Sequence, residues 1–112
     1  MTGGNGHDWL FGGQDDDHII GGDGNDFLAG GEGLNLLHGG DGFDLFVLDQ
    51  RGVAVIDDFT LGEDKIFLGR VNNLQFGSHG GFATLMDGDK VVAAVNNFTQ
   101  DQLQAVSDQV FI

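Results

Sequence analysis

A single large apolar residue recurs at every ninth position through the first part of the chain: Leu10, Ile19, Leu28, Leu37 and Phe46. Glycine and polar residues fill the intervals. Written in nines from Gly3, the segment reads GGNGHDWLF, GGQDDDHII, GGDGNDFLA, GGEGLNLLH and GGDGFDLFV. The first two places are always Gly, and the fourth is Gly except at Asp15. The sixth place holds Asp8, Asp17, Asp26, Asn35 and Asp44. Glycine takes up positive φ without steric cost, so GGxG predicts a tight turn in each copy. The last three or four residues are apolar or β-tolerant and predict a very short strand. The sixth-place side chain is read as turned away from the apolar eighth.

One copy cannot bury its single apolar side chain, but stacked copies can. Two copies per coil give an 18-residue turn, with successive coils about 4.8 Å apart as neighbouring parallel strands. Copies one, three and five then share one side, and copies two and four the other. Leu10, Leu28 and Phe46 form one inner ladder, with Ile19 and Leu37 facing it.

Residues 48–112 are built differently. AlaThrLeuMet, an Asp87-Gly88-Asp89 turn and LysValValAlaAlaVal predict a hairpin over about 82–95. Thr99 and Gln102 fit a capping box opening one short helix through about Val106. The final Val110, Phe111 and Ile112 read as a short apolar strand. A stacked coil ends in open strand edges, so this region is expected to cap it.

Charge sharpens the picture. The chain has 112 residues, 18 acids against 4 bases and a net charge of −14. Residues 1–47 contain no Lys or Arg at all. Nucleic acid and anionic membranes would be repelled, and no apolar run is long enough to span a membrane. There is no cysteine, so a small fold needs another staple than disulfides. Catalysis finds little footing: Ser78 and Ser107 lack a G-x-S-x-G setting, and no H-E-x-x-H segment is present. Five inner side chains at about 1.5–3 kcal/mol each are too few to order 47 residues. Turn carbonyls and recurring carboxylates are hard oxygen donors, suited to Ca²⁺ rather than Mg²⁺. Zinc would want His or Cys, and His7, His18 and His38 fall at three different places of the repeat.

The five copies resemble the calcium-binding nonapeptide of RTX (repeats-in-toxin) proteins, GGxGxDxUx with U apolar. That resemblance implies an all-β, right-handed parallel β-roll capped by a C-terminal antiparallel β region, with about two to four Ca²⁺ ions between stacked turns. Carried over place by place, one site would use Gly4, Gly6 and Asp8 with Gly21, Asp23 and Asp26. A second would use Gly22, Gly24 and Asp26 with Gly39, Asp41 and Asp44, so that Asp26 bridges both ions. A third, on the other side, would use Gly13, Asp15 and Asp17 with Gly30, Glu32 and Asn35. Asn35 replaces a charged ligand there, which makes this site the weakest.

ValIleAspAspPhe (55–59) and GlyGluAspLysIlePheLeu (62–68) also resemble segments near RTX C-termini, with Asp58 and Asp64 matching their acids. Ala54 stands where those proteins usually have a further Asp. The resemblance implies a secreted, extracellular protein exported by a type I secretion apparatus through an uncleaved C-terminal signal. Folding on calcium would follow outside the cell. The repeats start in phase after Thr2, so a longer parent is expected. A calcium-dependent adhesive or carbohydrate-binding module, meeting anionic polysaccharide, is the alternative function.

Overall fold

The structure, a computed structural model, describes residues 1–49, 51–68, 71, 73–79, 82–96 and 98–111. Short strands alternate between two sheets as the chain coils. Strands β2 (Trp9–Phe11), β4 (Phe27–Ala29), β6 (Leu45–Val47) and β8 (Lys65–Phe67) form a four-stranded parallel sheet in that order. Strands β1 (Thr2–Gly4), β3 (His18–Gly22), β5 (Gly33–His38) and β7 (Gly52–Ile56) line the opposite side, again all parallel. The fold is a β-roll with four rungs on each side.

Register explains the period. Leu10 pairs with Leu28 and Leu28 with Phe46, each 18 residues on, while Ile19 pairs with Leu37. All five are buried and meet in one core. The ladders then run past the last repeat: Phe46 pairs with Ile66 and Leu37 with Ile56, both fully buried. These steps span 20 and 19 residues, so the extra rungs keep the spacing in space while losing it in sequence.

The cap is continuous with the roll. Strands β9 (Leu74–His79), β10 (Phe82–Asp87) and β11 (Lys90–Val95) make an antiparallel meander. Gly88, at φ 62°, allows the tight β10–β11 turn. β11 pairs in parallel with β7, so the meander extends the larger sheet to seven strands. The Thr99 capping box has both arms, the Gln102 amide donating to Thr99 Oγ1 (3.2 Å) and the Thr99 amide to Gln102 Oε1 (3.0 Å).

The end of the chain departs from expectation. Two short helices stand where one was expected, α1 (Gln100–Ala105) and α2 (Ser107–Val110), broken at Val106. Val110 is helical rather than extended, and Phe111 makes one isolated parallel bridge to Ile66 on the edge of β8; Ile112 lies outside the described residues. The cause is burial: Leu103 in α1 and Val110 in α2 are both fully buried, and the short second helix is what brings Val110 inward. ValPheIle is β-prone locally, and this tertiary demand overrides it.

Leu28 sits at the middle of its ladder, so Leu28→Ala is expected to cost about 2–5 kcal/mol. Urea unfolding in saturating calcium measures it. Leu34→Ala, at an exposed position, is expected to stay within about 0.5 kcal/mol.

Candidate metal centre

The turns stack in two columns, one at each side of the roll. One holds the turns at 3–8, 21–26 and 39–44; the other holds those at 12–17 and 30–35. Within each turn the second and fourth places have positive φ, from 70° to 104°, and Asp15 at 70° is the one non-glycine among them. The carbonyl oxygens of these places aim at the next coil. A Cβ added to Gly22 would meet Gly4 O at 2.2 Å, and one on Gly24 would meet Gly6 O at 2.3 Å. Gly22 O and Gly24 O approach Gly40 and Gly42 in the same way, as Gly13 O and Asp15 O approach Gly31 and Gly33. Glycine is therefore required at these lower rungs by the oxygen above as well as by φ.

The sixth-place side chains point inward, contrary to the sequence reading. Asp26, Asp44 and Asn35 are 3 %, 2 % and 1 % exposed. Places six and eight are two residues apart on a pleat and so share a face. Each side chain reaches back one coil. Asp26 Oδ1 accepts from the Asp8 amide (2.9 Å), Asp44 Oδ1 from the Asp26 amide (2.9 Å) and Asn35 Oδ1 from the Asp17 amide (2.8 Å). Asp64 continues the column, its Oδ1 accepting from the Asp44 amide (3.0 Å) and its Oδ2 from the Thr60 amide (2.9 Å).

The second carboxylate oxygen is the telling atom. Asp8, Asp17, Asp26 and Asp44 each bury an Oδ2 that has no hydrogen-bond partner. Each lies against the first glycine of its own turn, and beside Asp8, Asp17 and Asp26 stands the first-place carbonyl of the coil below. Asp26 Oδ2 and Gly39 O both fall 2.6 Å from the point where a Cβ on Gly21 would stand. An unpaired buried carboxylate oxygen beside a carbonyl is costly unless a cation joins them. Hard oxygen donors of mixed charge are the donor set Ca²⁺ takes, so these residues fit that ion.

Electrostatics point the same way. Burial pushes the Asp44 carboxyl up to about 7, with help from the charges of Asp64, Asp26 and Asp58, against the lowering effect of the Asp26 amide. Burial likewise raises Asp26 and Asp64.

Among the assigned residues, Gly4, Gly6, Asp8, Gly21 and Asp26 converge on the first gap, and Gly22, Gly24, Asp26, Gly39 and Asp44 on the second. Asp23 and Asp41 occupy exposed third places of their turns. In the third set Gly13, Asp15, Asp17 and Gly30 converge equally well, but the Asn35 amide nitrogen already donates to Glu32 O (3.2 Å) and Gly31 O (3.4 Å). A neutral donor thus occupies carbonyls that elsewhere remain available.

Two features escaped the sequence reading. Fifth-place side chains form an outer ladder: His7 Nδ1 accepts from the Asn25 amide, Asn25 Oδ1 from Phe43 and Asp16 Oδ1 from Leu34. Polar residues at that place in copies one to three, giving way to Leu34 and Phe43, were the available signal. Asp58 also takes the Gly39 and Gly40 amides on its two oxygens (2.8 and 2.7 Å). Beside it, His38 Nδ1 lies 2.8 Å from Asp57 Oδ1. Burial opposes the imidazolium, but the Asp57 hydrogen bond and the charges of Asp58, Asp57 and Asp44 outweigh it, and the His38 pKa is raised.

Comparison with known proteins agrees with this arrangement. Residues 2–37 match the family described as RTX calcium-binding nonapeptide repeat, in four copies. The chain carries RTX repeats over residues 2–37. Its RTX columns are the oxygen-lined turns described above. A solution structure of the AlgE6R3 subunit from the Azotobacter vinelandii mannuronan C5-epimerase is similar at 23 % identity and a TM-score of 0.44, covering 89 % of this chain and 78 % of that one. No curated protein matches.

The raised carboxyl groups set a pH dependence. Their folded pKa values exceed the ordinary 3.8, so the metal-free fold holds more protons than the unfolded chain. Its stability is greatest below about 4 and falls as pH rises through about 7, the value reached by Asp44. Calcium-stripped protein is therefore expected to show more β signal in circular dichroism near pH 5 than near pH 8.

Proposed function

We propose that this RTX module is a calcium-gated folding unit of an exported protein. Residues 1–47 supply the calcium-holding repeats of the roll, and residues 48–112 supply its last rungs, its cap and the type I secretion signal. The observation that carries the reading is the set of four buried, partnerless carboxylate oxygens on Asp8, Asp17, Asp26 and Asp44. Without a cation each is a desolvated anion with half its acceptor capacity unmet.

In the first column, Gly4, Gly6 and Asp8 with Gly21, Asp23 and Asp26 would hold one ion. Gly22, Gly24 and Asp26 with Gly39, Asp41 and Asp44 would hold the next, Asp26 serving both. In the second column Gly13, Asp15 and Asp17 with Gly30, Glu32 and Asn35 would hold a third, with lower charge. Asp44, with Asp64 beneath it, extends the first column toward a fourth. The bound ion supplies positive charge between stacked oxygens; the chain supplies turns that hold those oxygens one coil apart. The module serves as a scaffold, and no reaction is assigned to it.

Nine acids and no base in residues 1–47 repel one another when calcium is scarce, which favours an open chain. Where calcium is plentiful, binding becomes folding free energy. Extracellular sites of this chemistry work near 10⁻⁴ to 10⁻³ M. Disorder inside the cell and order outside it suit passage through the narrow conduit of a type I secretion apparatus.

Circular dichroism with calcium titration tests the reading. A chelated sample is expected to be coil and to gain β signal with calcium but not with equal magnesium; full order after exhaustive chelation would overturn the proposal. Site by site, Asp26→Ala is expected to raise the calcium midpoint on the order of tenfold. Asn35→Ala should move it much less, and equal small effects would contradict the bridging role of Asp26.

A further inference from the structure

The outward face of the four-stranded sheet is unusual for so acidic a chain. One outward row runs Trp9, Phe27, Leu45 and Lys65 across the four strands, and the other runs Phe11, Ala29, Val47 and Phe67. Only Lys65 is polar, and its ammonium group is already held by the Gln109 carbonyl. Trp9 is 75 % exposed, Phe11 55 % and Phe67 42 %. The Trp9 and Phe27 rings stack at 5.3 Å and 25°, close to the strand spacing, so they stand on the sheet as a ridge with edges outward. Beside the ridge lies a trough of about 480 Å³. Its floor is Phe11, Ala29, Val47 and Phe67, with Ala29 forming a dip, and Glu32 and Arg51 stand on its wall.

Size and charge identify what fits. Four strands about 4.8 Å apart span about 14 Å, which is far below the roughly 800 Å² per partner of a stable dimer when the strands are three residues long. Two copies at −14 each would also repel. A helix, about 10 Å wide, would cover 14 Å with about nine residues and set side chains i, i+4 and i+7 into the trough. The flanks are acidic: Asp15 and Asp16 are exposed in the turn after β2, and Asp23 and Asp41 before β4 and β6. Arg51, the base on the wall, is clasped by Asp49 at 2.7 Å and Glu32 at 3.3 Å.

We propose that this face docks a cationic amphipathic helical segment of a partner protein, apolar residues in the trough and Lys or Arg toward the acidic turns. Asp15, Asp23 and Asp41 would give calcium their backbone carbonyls, which leaves their exposed carboxylates, with that of Asp16, to the partner's charges.

Trp9 is the single tryptophan and reports on the face directly. Calcium-saturated protein is titrated with an amphipathic Lys/Leu peptide of about 18 residues, and with a Glu/Leu peptide of the same pattern. The Lys/Leu peptide is expected to shift Trp9 emission to the blue with saturation, and the Glu/Leu peptide to do nothing. Phe11→Ser with Phe67→Ser, its calcium-induced fold checked by circular dichroism, should bind on the order of tenfold more weakly. Ala29→Trp fills the dip from the solvent side; read by peptide anisotropy, it should weaken binding even if the double variant fails to fold. The proposal is overturned by equal response to both peptides or by undiminished binding in the variants. It is equally overturned if a neutral oligosaccharide, or self-association seen in sedimentation, produces the shift instead.

Discussion

A buried carboxylate with only one of its two oxygens paired is the constraint on which this molecule turns. Oδ1 of Asp26 and of Asp44 stitches its coil to the one before, so the side chain cannot swing out to water without breaking the stack. Oδ2 is left beside a glycine and a carbonyl, with no proton donor in reach. The glycines follow from this: the first place has no room for a Cβ beside that oxygen, and the second and fourth combine positive φ with a carbonyl pressing from the neighbouring coil. The side chains that stack the coils are thus the same ones that line the gaps between them. A ladder of single apolar residues would be too thin to drive stacking alone.

The two columns are not equivalent. The first carries Asp8, Asp26, Asp44 and Asp64 in unbroken succession, each after Asp8 bonded to the amide above. The second has Asp17 followed by Asn35, whose amide donates to the turn carbonyls itself. A neutral side chain that carries its own donor can order a turn without an ion. The second column therefore meets part of its turn with its own amide, while the first relies on carboxylates alone.

The cap solves the problem of where a roll stops. Ile56 and Ile66 add a last rung to each apolar ladder, and Asp58 and Asp64 satisfy the amides that a further repeat would otherwise meet. β11 then covers the β7 edge, and Phe111 covers part of the β8 edge. Edges so covered cannot recruit another chain. The outward face of the smaller sheet is left apolar by the same alternation that fills the core, because its strands are too short to carry more than two outward residues each.

Much of this was legible in the sequence because the repeat is periodic: a residue 18 positions on is a neighbour in space, so turns, ladders and columns can be read off the spacing. The capping box at Thr99 and the hairpin at Gly88 were legible for a local reason, since their partners lie within a few residues. What followed from contacts distant in sequence was not. Whereas the inward turn of the sixth place follows locally from its sharing a pleat face with the eighth, the rungs at 19 and 20 residues, the Asp58 grip on Gly39 and Gly40, and the helical fate of Val110 all depend on which surface arrives opposite. Local preference cannot weigh that, since burial against a non-local partner outweighs the modest bias that ValPheIle carries toward strand.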